Sequence, residues 1–312
     1  MKTSALWFTA AGQAEVREET IAEPREGEVL LQAAFSALSN GTEHLVFSGE
    51  VPPEEYQSMA CPYMQGEFTF PVKYGYSLVG KIIQGQDEGC FAHVLHPHQQ
   101  HCVVQHRDLI LLPPGVSPER ATLLSNAETA LNAVWDAQLK ENDSVLVVGY
   151  GNVGSLLCRV LQLESGCTVD VLDSNEQKQR LAADHGFTGA AGHDYDVVFH
   201  TSASSKGLQA AIDLAGFEGR IIELSWYGNR PVTLSLGGSF HRGRKQLISS
   251  QVSTVAVSKR DTIDFAKRKM HAMKLLEDQN FDSNITRKVT LAEAARDFAG
   301  LRNELACLIY YE

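Results

Sequence analysis

No run of this 312-residue chain reaches the ~18 consecutive apolar residues that a membrane-crossing helix needs. Low-complexity segments are missing too, and so is any block of basic residues. With a net charge of −11, that absence argues against a nucleic-acid or anionic-membrane surface, although a local basic pocket for a phosphate stays open. The six cysteines, at 61, 90, 102, 158, 167 and 307, include no C-x-x-C pair. Neither a disulfide framework nor a structural zinc site is expected from that spacing, and a reducing cytoplasm is the expected compartment. The opening residues lack the charged-then-apolar order of a secretion signal. What remains is an ordinary globular composition, 44% hydrophobic and 21% charged. It is long enough for two domains at ~150 residues each.

The most informative stretch is 145–161. Val145–Val148 is a short β-branched apolar run that reads as a buried strand. Gly149-Tyr150-Gly151-Asn152-Val153-Gly154 follows, and the apolar spacing then turns helical through Leu156, Leu157, Val160 and Leu161. A strand, a G-x-G-x-x-G turn and a helix together form a dinucleotide-binding pattern. Gly149 permits the tight turn, Gly151 lets the backbone approach a pyrophosphate, and Gly154 lets helix and strand pack closely. Unpaired N–H groups and the positive dipole end at the helix start face the phosphates. The next strand, Thr168–Asp173, ends in a carboxylate 19 residues after Gly154. There it can accept hydrogen bonds from an adenosine ribose, or cap the helix that follows.

Around this unit the chain changes character. Residues 1–35 alternate as antiparallel strands, and residues 90–104 read as a hairpin, Phe91–Leu95 against His101–Val104. Ser117 and Pro118 give a helix start, with an apolar face continuing to about Ala137. After the glycine loop, helices alternate with strands at 196–200, 219–224 and 247–252, which implies a parallel sheet. A helix over about 260–277, Ile285–Val289, a helix at Leu291–Leu301 and a last strand Ala306–Tyr310 close the chain.

Ser39-Asn40-Gly41-Thr42-Glu43, Pro71-Val72-Lys73-Tyr74-Gly75-Tyr76, the glycine loop, Gly219–Leu224 with Phe240-His241-Arg242, and the return segment Ile285–Tyr310 are similar to motifs of one family. Over nearly its whole length the chain resembles the medium-chain dehydrogenase/reductase superfamily, alcohol dehydrogenase-like. The resemblance implies an α/β fold: a Rossmann doubly wound parallel sheet, residues 119–261, inserted in a β-rich GroES-like catalytic domain, residues 1–118 plus 262–312. It also implies an active site between the two, and a possible homodimer through paired sheet edges.

The chain departs from that family where zinc-dependent members hold their metal. Ser39-Asn40, Tyr76-Ser77 and Ser125-Asn126 stand in the three places, with no thiolate or imidazole among them. No zinc is therefore expected, and a substrate oxygen must be polarised by hydrogen-bond donors. Thr42 matches the hydroxyl that relays the substrate proton in relatives, or caps its helix. Tyr76 occupies a lost ligand's position, where its phenol is either a donor to substrate or strand packing. His96, His98 and His101 form the densest imidazole cluster. They read as a general acid (His96 or His98), as solvated loop residues, or as a relocated metal site whose spacing fits no recognised zinc pattern.

For the cofactor, Asp173 favours NAD, with NADP possible. Lys178 matches a ribose-contacting position or is a solvated helix charge, and Ser202 lines the cofactor site or caps the next helix. The expected cofactor-binding set is Gly149, Gly151, Asn152, Val153, Gly154, Asp173, Lys178 and Ser202. The expected activity is a zinc-independent NAD(P)-dependent oxidoreductase acting on a small carbonyl, alcohol or activated alkene. A dinucleotide sensor or partner-binding module that has lost catalysis is the second reading. An S-adenosylmethionine-dependent methyltransferase is a third, which the β-rich start and C-terminal return disfavour.

Overall fold

The computed structural model describes residues 1–192 and 194–312. The chain divides into two compact units, Met1–Ser125 with Leu276–Glu312, and Asn126–Leu275. Among the described residues no helix is long and apolar enough to cross a membrane.

The continuous unit carries a six-stranded parallel sheet. Its strands lie in the order Thr188–Gly189, Val169–Leu172, Val145–Val148, Tyr195–His200, Ala215–Glu223 and Gln246–Ser249. Numbered along the chain, this is the 3-2-1-4-5-6 order of doubly wound dinucleotide-binding sheets. Val145–Val148 is buried at every residue because both faces are covered. The helix Asn152–Ser165 lays Leu156, Leu157, Val160 and Leu161 inward and stops at Gly166, which takes the left-handed conformation (φ 66).

A buried guanidinium ties other parts of this unit together. Arg268, 2% exposed, donates to Glu128 Oε1 (2.9 Å), Asn132 Oδ1 (2.7 Å) and the carbonyl of Thr254 (3.0 Å). It thus joins the helix Leu124–Ala137, the segment after the last strand and the helix Phe265–Leu275.

The discontinuous unit is β-rich. A four-stranded sheet pairs Gln13–Thr20, Lys2–Ala10, Val72–Lys73 and Gln65–Gly66. The larger sheet runs Ile285–Thr290, Ala306–Tyr310, Glu28–Leu38, Leu78–Gln84, Phe91–Val94 and Ile110–Leu111, with His101–Gln105 paired to Glu28–Leu38. Its core includes an aromatic cluster in which Phe8, Phe47 and Phe298 meet edge-on or tilted, with centroids 4.8–5.5 Å apart.

Several sequence expectations change here. Phe91–Val94 and His101–Gln105 do not form a hairpin, since the first pairs with Leu78–Gln84 and the second with Glu28–Gln32. The residues between them are bonded elsewhere: Leu6 N donates to His98 O, Gln100 N to Ser4 O and Ala33 N to Gln100 O, all at 2.8–2.9 Å. Buried Lys73 adds bonds to Glu19 (2.7 Å) and Gln99 (2.8 Å). This loop is interior, so His96 and His98 are not solvated.

The helix expected from Ser117 to Ala137 is two helices, Pro118–Ala121 and Leu124–Ala137. Ser117 does cap the first, accepting from Arg120 N, while at the break Thr122 O accepts from Ser77 Oγ. The helix expected over 260–277 is shorter, at Phe265–Leu275, and the strand expected over 247–252 lies at Gln246–Ser249. Leu291–Leu301 is α-helical only to Arg296; Asp297 (φ −131) breaks it, and Phe298–Asn303 goes on as a 3-10 helix.

Two outcomes follow for stability. Arg268→Met should cost about 3–5 kcal/mol in urea unfolding by stranding Glu128 in the core, and Glu128→Leu in the same chain should recover part of it. Burial holds His96 down at about 3 and His44 at about 4, with the Lys73 and His98 charges adding to the first and Arg302 to the second. The unfolded chain takes up those protons as pH falls through about 6.5, whereas the folded chain does not. Stability should therefore decline from pH 6.5 toward 4 by about 1.4 kcal/mol per pH unit for each histidine, and His96→Gln should flatten the slope. A urea midpoint unchanged between pH 7 and 5 would contradict this.

Candidate functional site

The glycine loop has the geometry its spacing requires. Gly149 adopts φ +105, and a Cβ there would come within 2.8 Å of Thr201 Oγ1. At Gly154 a Cβ would sit 2.0 Å from the carbonyl oxygen of Gly149, so only glycine lets the helix lie so close to the turn. Around Gly151 a Cβ would meet nothing within 4 Å, which leaves the backbone open to a bulky anion.

Gly151 is the N-cap of Asn152–Ser165 and supplies no side-chain cap, so the first N–H groups of the helix, Val153 among them, have no intrahelical acceptor. Asn152 is 6% exposed, and neither its Oδ1 nor its Nδ2 has a partner. A buried amide with both ends unpaired costs stability unless a ligand completes it. These residues fit a dinucleotide.

The strand expected to end at Asp173 ends at Leu172, and Asp173 is the residue directly after it. Its Oδ2 accepts from Tyr150 N (2.7 Å) and its Oδ1 from Asn175 N (2.8 Å). The cap of the following helix is Asn175, which accepts from Gln177 N, so Asp173 shapes the loop and is not the cap. A carboxylate offers about four acceptor directions, so two bonds leave room for ribose hydroxyls. Lys178 lies half-buried in the helix Glu176–Asp184.

Ser202 likewise is not a cap. Ser204 caps Ser205–Leu214, while Ser202 Oγ bonds His200 Nε2 at 2.7 Å. Sequence reading missed His200 and Glu223, because a histidine and a glutamate ending apolar strands carry no periodic signal.

In the β-rich unit the structure brings Thr42 and Tyr76 together. The Tyr76 phenol shares hydrogen bonds with the Ser39 and Thr42 hydroxyls. Thr42 opens the helix Thr42–Ser48, but the N-cap is Gly41 and no side chain caps that end. Burial, with the negative charge of Glu43 next in size, pushes the Tyr76 phenol well above its ordinary range. It stays an O–H donor at neutral pH.

Beside it Glu43 is fully buried, one oxygen 3.0 Å from His98 Nε2 and the other without a partner. With Glu43 accepting as a carboxylate, His98 donates from Nε2 and accepts at Nδ1 from Ser36 Oγ (2.8 Å), which lies 2.7 Å from the Tyr311 hydroxyl. Glu43, Ser36 and Tyr311 also escaped sequence reading, since nothing in the pattern marks a buried carboxylate.

His96 does not fit the expected proton donor. Its Nδ1 is spent on the Pro97 carbonyl (2.8 Å) and the ring is held neutral by burial. His101 lies in its own strand, with Nδ1 buried and without a partner. Among the described residues no three His, Cys, Asp or Glu side chains are grouped as a metal ion needs. The hydroxyls and amide at the family's zinc-ligand positions do not fit that metal.

No protein-family model matches the chain. The 2-desacetyl-2-hydroxyethyl bacteriochlorophyllide A dehydrogenase of Rhodobacter capsulatus is 26% identical over 224 residues, 65% of this chain and 63% of that relative's length. An alcohol dehydrogenase of Escherichia coli CFT073, complexed with NADH, superposes with a TM-score of 0.77 at 16% identity, covering 99% of both chains. A zinc-binding dehydrogenase of Sinorhizobium meliloti 1021, bound to NADP, gives 0.77 at 16% identity and covers all of both chains. At such identities the two structures speak for the fold. The fold is that of the medium-chain dehydrogenase/reductase superfamily, and the sequence relatives are dehydrogenases to which this chain is similar.

Proposed function

We propose that the chain is an NAD(P)-dependent, zinc-independent dehydrogenase that interconverts a small alcohol and its carbonyl compound. The observation that carries this reading is the glycine loop, open at Gly151 and followed by an uncapped helix with an orphaned Asn152 side chain. A nicotinamide, when bound, supplies or accepts hydride at its C4. The helix N-terminus at Asn152 and Val153 would neutralise the pyrophosphate. Asp173 would accept from ribose hydroxyls and repel a 2′-phosphate, which supports NAD over NADP. The hydroxyethyl group in the name of the Rhodobacter relative's substrate supports secondary alcohols and ketones as first candidates.

The β-rich unit supplies the groups that handle the substrate oxygen. Tyr76, held protonated by its surroundings, donates to a carbonyl and stabilises the alkoxide that hydride transfer creates. Thr42 and Ser39 orient the phenol. The Tyr311–Ser36–His98–Glu43 chain lies behind them as a route along which a proton can be returned.

Titration with NADH, followed by nicotinamide fluorescence, should give saturable binding stronger than with NADPH. Gly151→Val should abolish it without lowering the urea midpoint, and Asp173→Asn should narrow the preference for NADH. Failure to bind either nucleotide would refute the reading. In a screen of secondary alcohols and ketones, Tyr76→Phe should lower kcat roughly 10²-fold, the cost of one oxyanion donor, with NADH affinity unchanged. Binding without turnover of any substrate would favour the sensor reading, which the missing zinc ligands motivate.

A further inference from the structure

We propose that Ser202, His200 and Glu223 form a nucleophilic triad whose serine oxygen attacks small activated esters. The three stand at the carboxyl ends of neighbouring parallel strands, Tyr195–His200 and Ala215–Glu223. The His200 side chain is fully buried and that of Glu223 is 13% exposed, whereas Ser202 is exposed to an incoming reactant. Nδ1 of His200 lies 2.8 and 3.0 Å from the two Glu223 oxygens. A carboxylate only accepts, so Nδ1 carries the proton and donates it. Nε2 is then left as the acceptor, 2.7 Å from Ser202 Oγ, which must point its hydrogen there. This is the tautomer in which an imidazole acts as base toward a serine. Glu223 is itself fixed, accepting from Ser225 N (2.6 Å) and the Tyr227 hydroxyl (3.2 Å), and the Tyr227 ring lies nearly parallel to the imidazole, at 15°.

Two backbone features support the assignment. Gly207 lies in the helix Ser205–Leu214, where glycine is less favourable than alanine. A Cβ at that position would come 2.2 Å from Ser202 Oγ and 2.8 Å from His200 Nε2. Ser202 also stands on a strand-to-helix turn, with Ala203 in the left-handed region (φ 47). Gly207 N is taken by the Ser204 cap (3.3 Å), but the N–H groups of Ser205 and Lys206 have no intrahelical acceptors, and with the dipole's positive end they favour a developing oxyanion.

In the reaction Ser202 Oγ bonds to the ester carbonyl carbon while its proton moves to His200 Nε2. The carbon–oxygen bond to the leaving group then breaks, and that oxygen takes the proton from Nε2. Water attacks the acyl-serine, gives its proton to Nε2, and the carboxylic acid departs as that proton returns to Oγ. No oxidant or cofactor enters, so the proposal stands apart from the dehydrogenase reading.

The test is incubation of the full chain with 4-nitrophenyl acetate, followed by intact mass and peptide mapping. A burst of 4-nitrophenolate and one acetyl group on Ser202 are expected. Ser202→Ala should lose both, and His200→Gln should slow acylation by about a hundredfold or more. Glu223→Gln should do the same, because an amide N–H facing Nδ1 favours the other tautomer. Lys206→Ala, at an exposed neighbour, should keep the wild-type rate. No acetyl group on wild-type Ser202, or an undiminished burst from Ser202→Ala, would overturn the proposal, whatever the outcome of NADH titration.

Discussion

The close approach of the helix Asn152–Ser165 to the turn at Gly149 is the constraint on which the continuous unit depends. With a virtual Cβ at Gly154 only 2.0 Å from the Gly149 carbonyl, helix and strand end can meet only as bare backbone. That contact brings the unpaired N–H groups to the carboxyl edge of the sheet, where charge can be bound. It also packs the turn against Thr201 and Ser202 of the neighbouring strand end, so the side chains of that edge are fixed by the same contact.

The β-rich unit is governed by a different rule, the disposal of polar groups in a place that excludes water. Glu43, Lys73, His96 and His98 are all buried. Each is tolerated because of what surrounds it: Lys73 by Glu19 and Gln99, His98 by Glu43 and Ser36, His96 by a carbonyl and by remaining neutral. Of these four, Glu43 keeps one oxygen without a partner among the described residues. An unpaired buried acceptor whose charge acts on a neighbouring phenol is costly unless some further group completes it.

The fold was legible where local rules dominate. The strand–glycine–helix unit and the Ser117 cap are written in neighbouring residues, and the structure carries both. The hairpin at 90–104 misled because alternation gives a strand its faces but not its partner; His101–Gln105 found Glu28–Gln32 instead. The site was legible by halves. Thr42 was visible as a match to a family pattern and Tyr76 as a departure from it, whereas two of the side chains grouped near them, Ser36 and Tyr311, lie 275 positions apart. His200 and Glu223 were hidden for the same reason, since their pairing exists only across two parallel strands.

The division of the chain has a consequence in time. Asn126–Leu275 is one continuous stretch, and all six strands of its sheet are present once residue 249 has been made. The larger sheet of the other unit cannot be completed then, because Ala306–Tyr310 lies between Ile285–Thr290 and Glu28–Leu38, with Asn40 holding the Leu305 carbonyl at 3.1 Å. On a ribosome the continuous half can reach its final form first. The half carrying Tyr76 must wait with an open strand edge until Ala306–Tyr310 emerges.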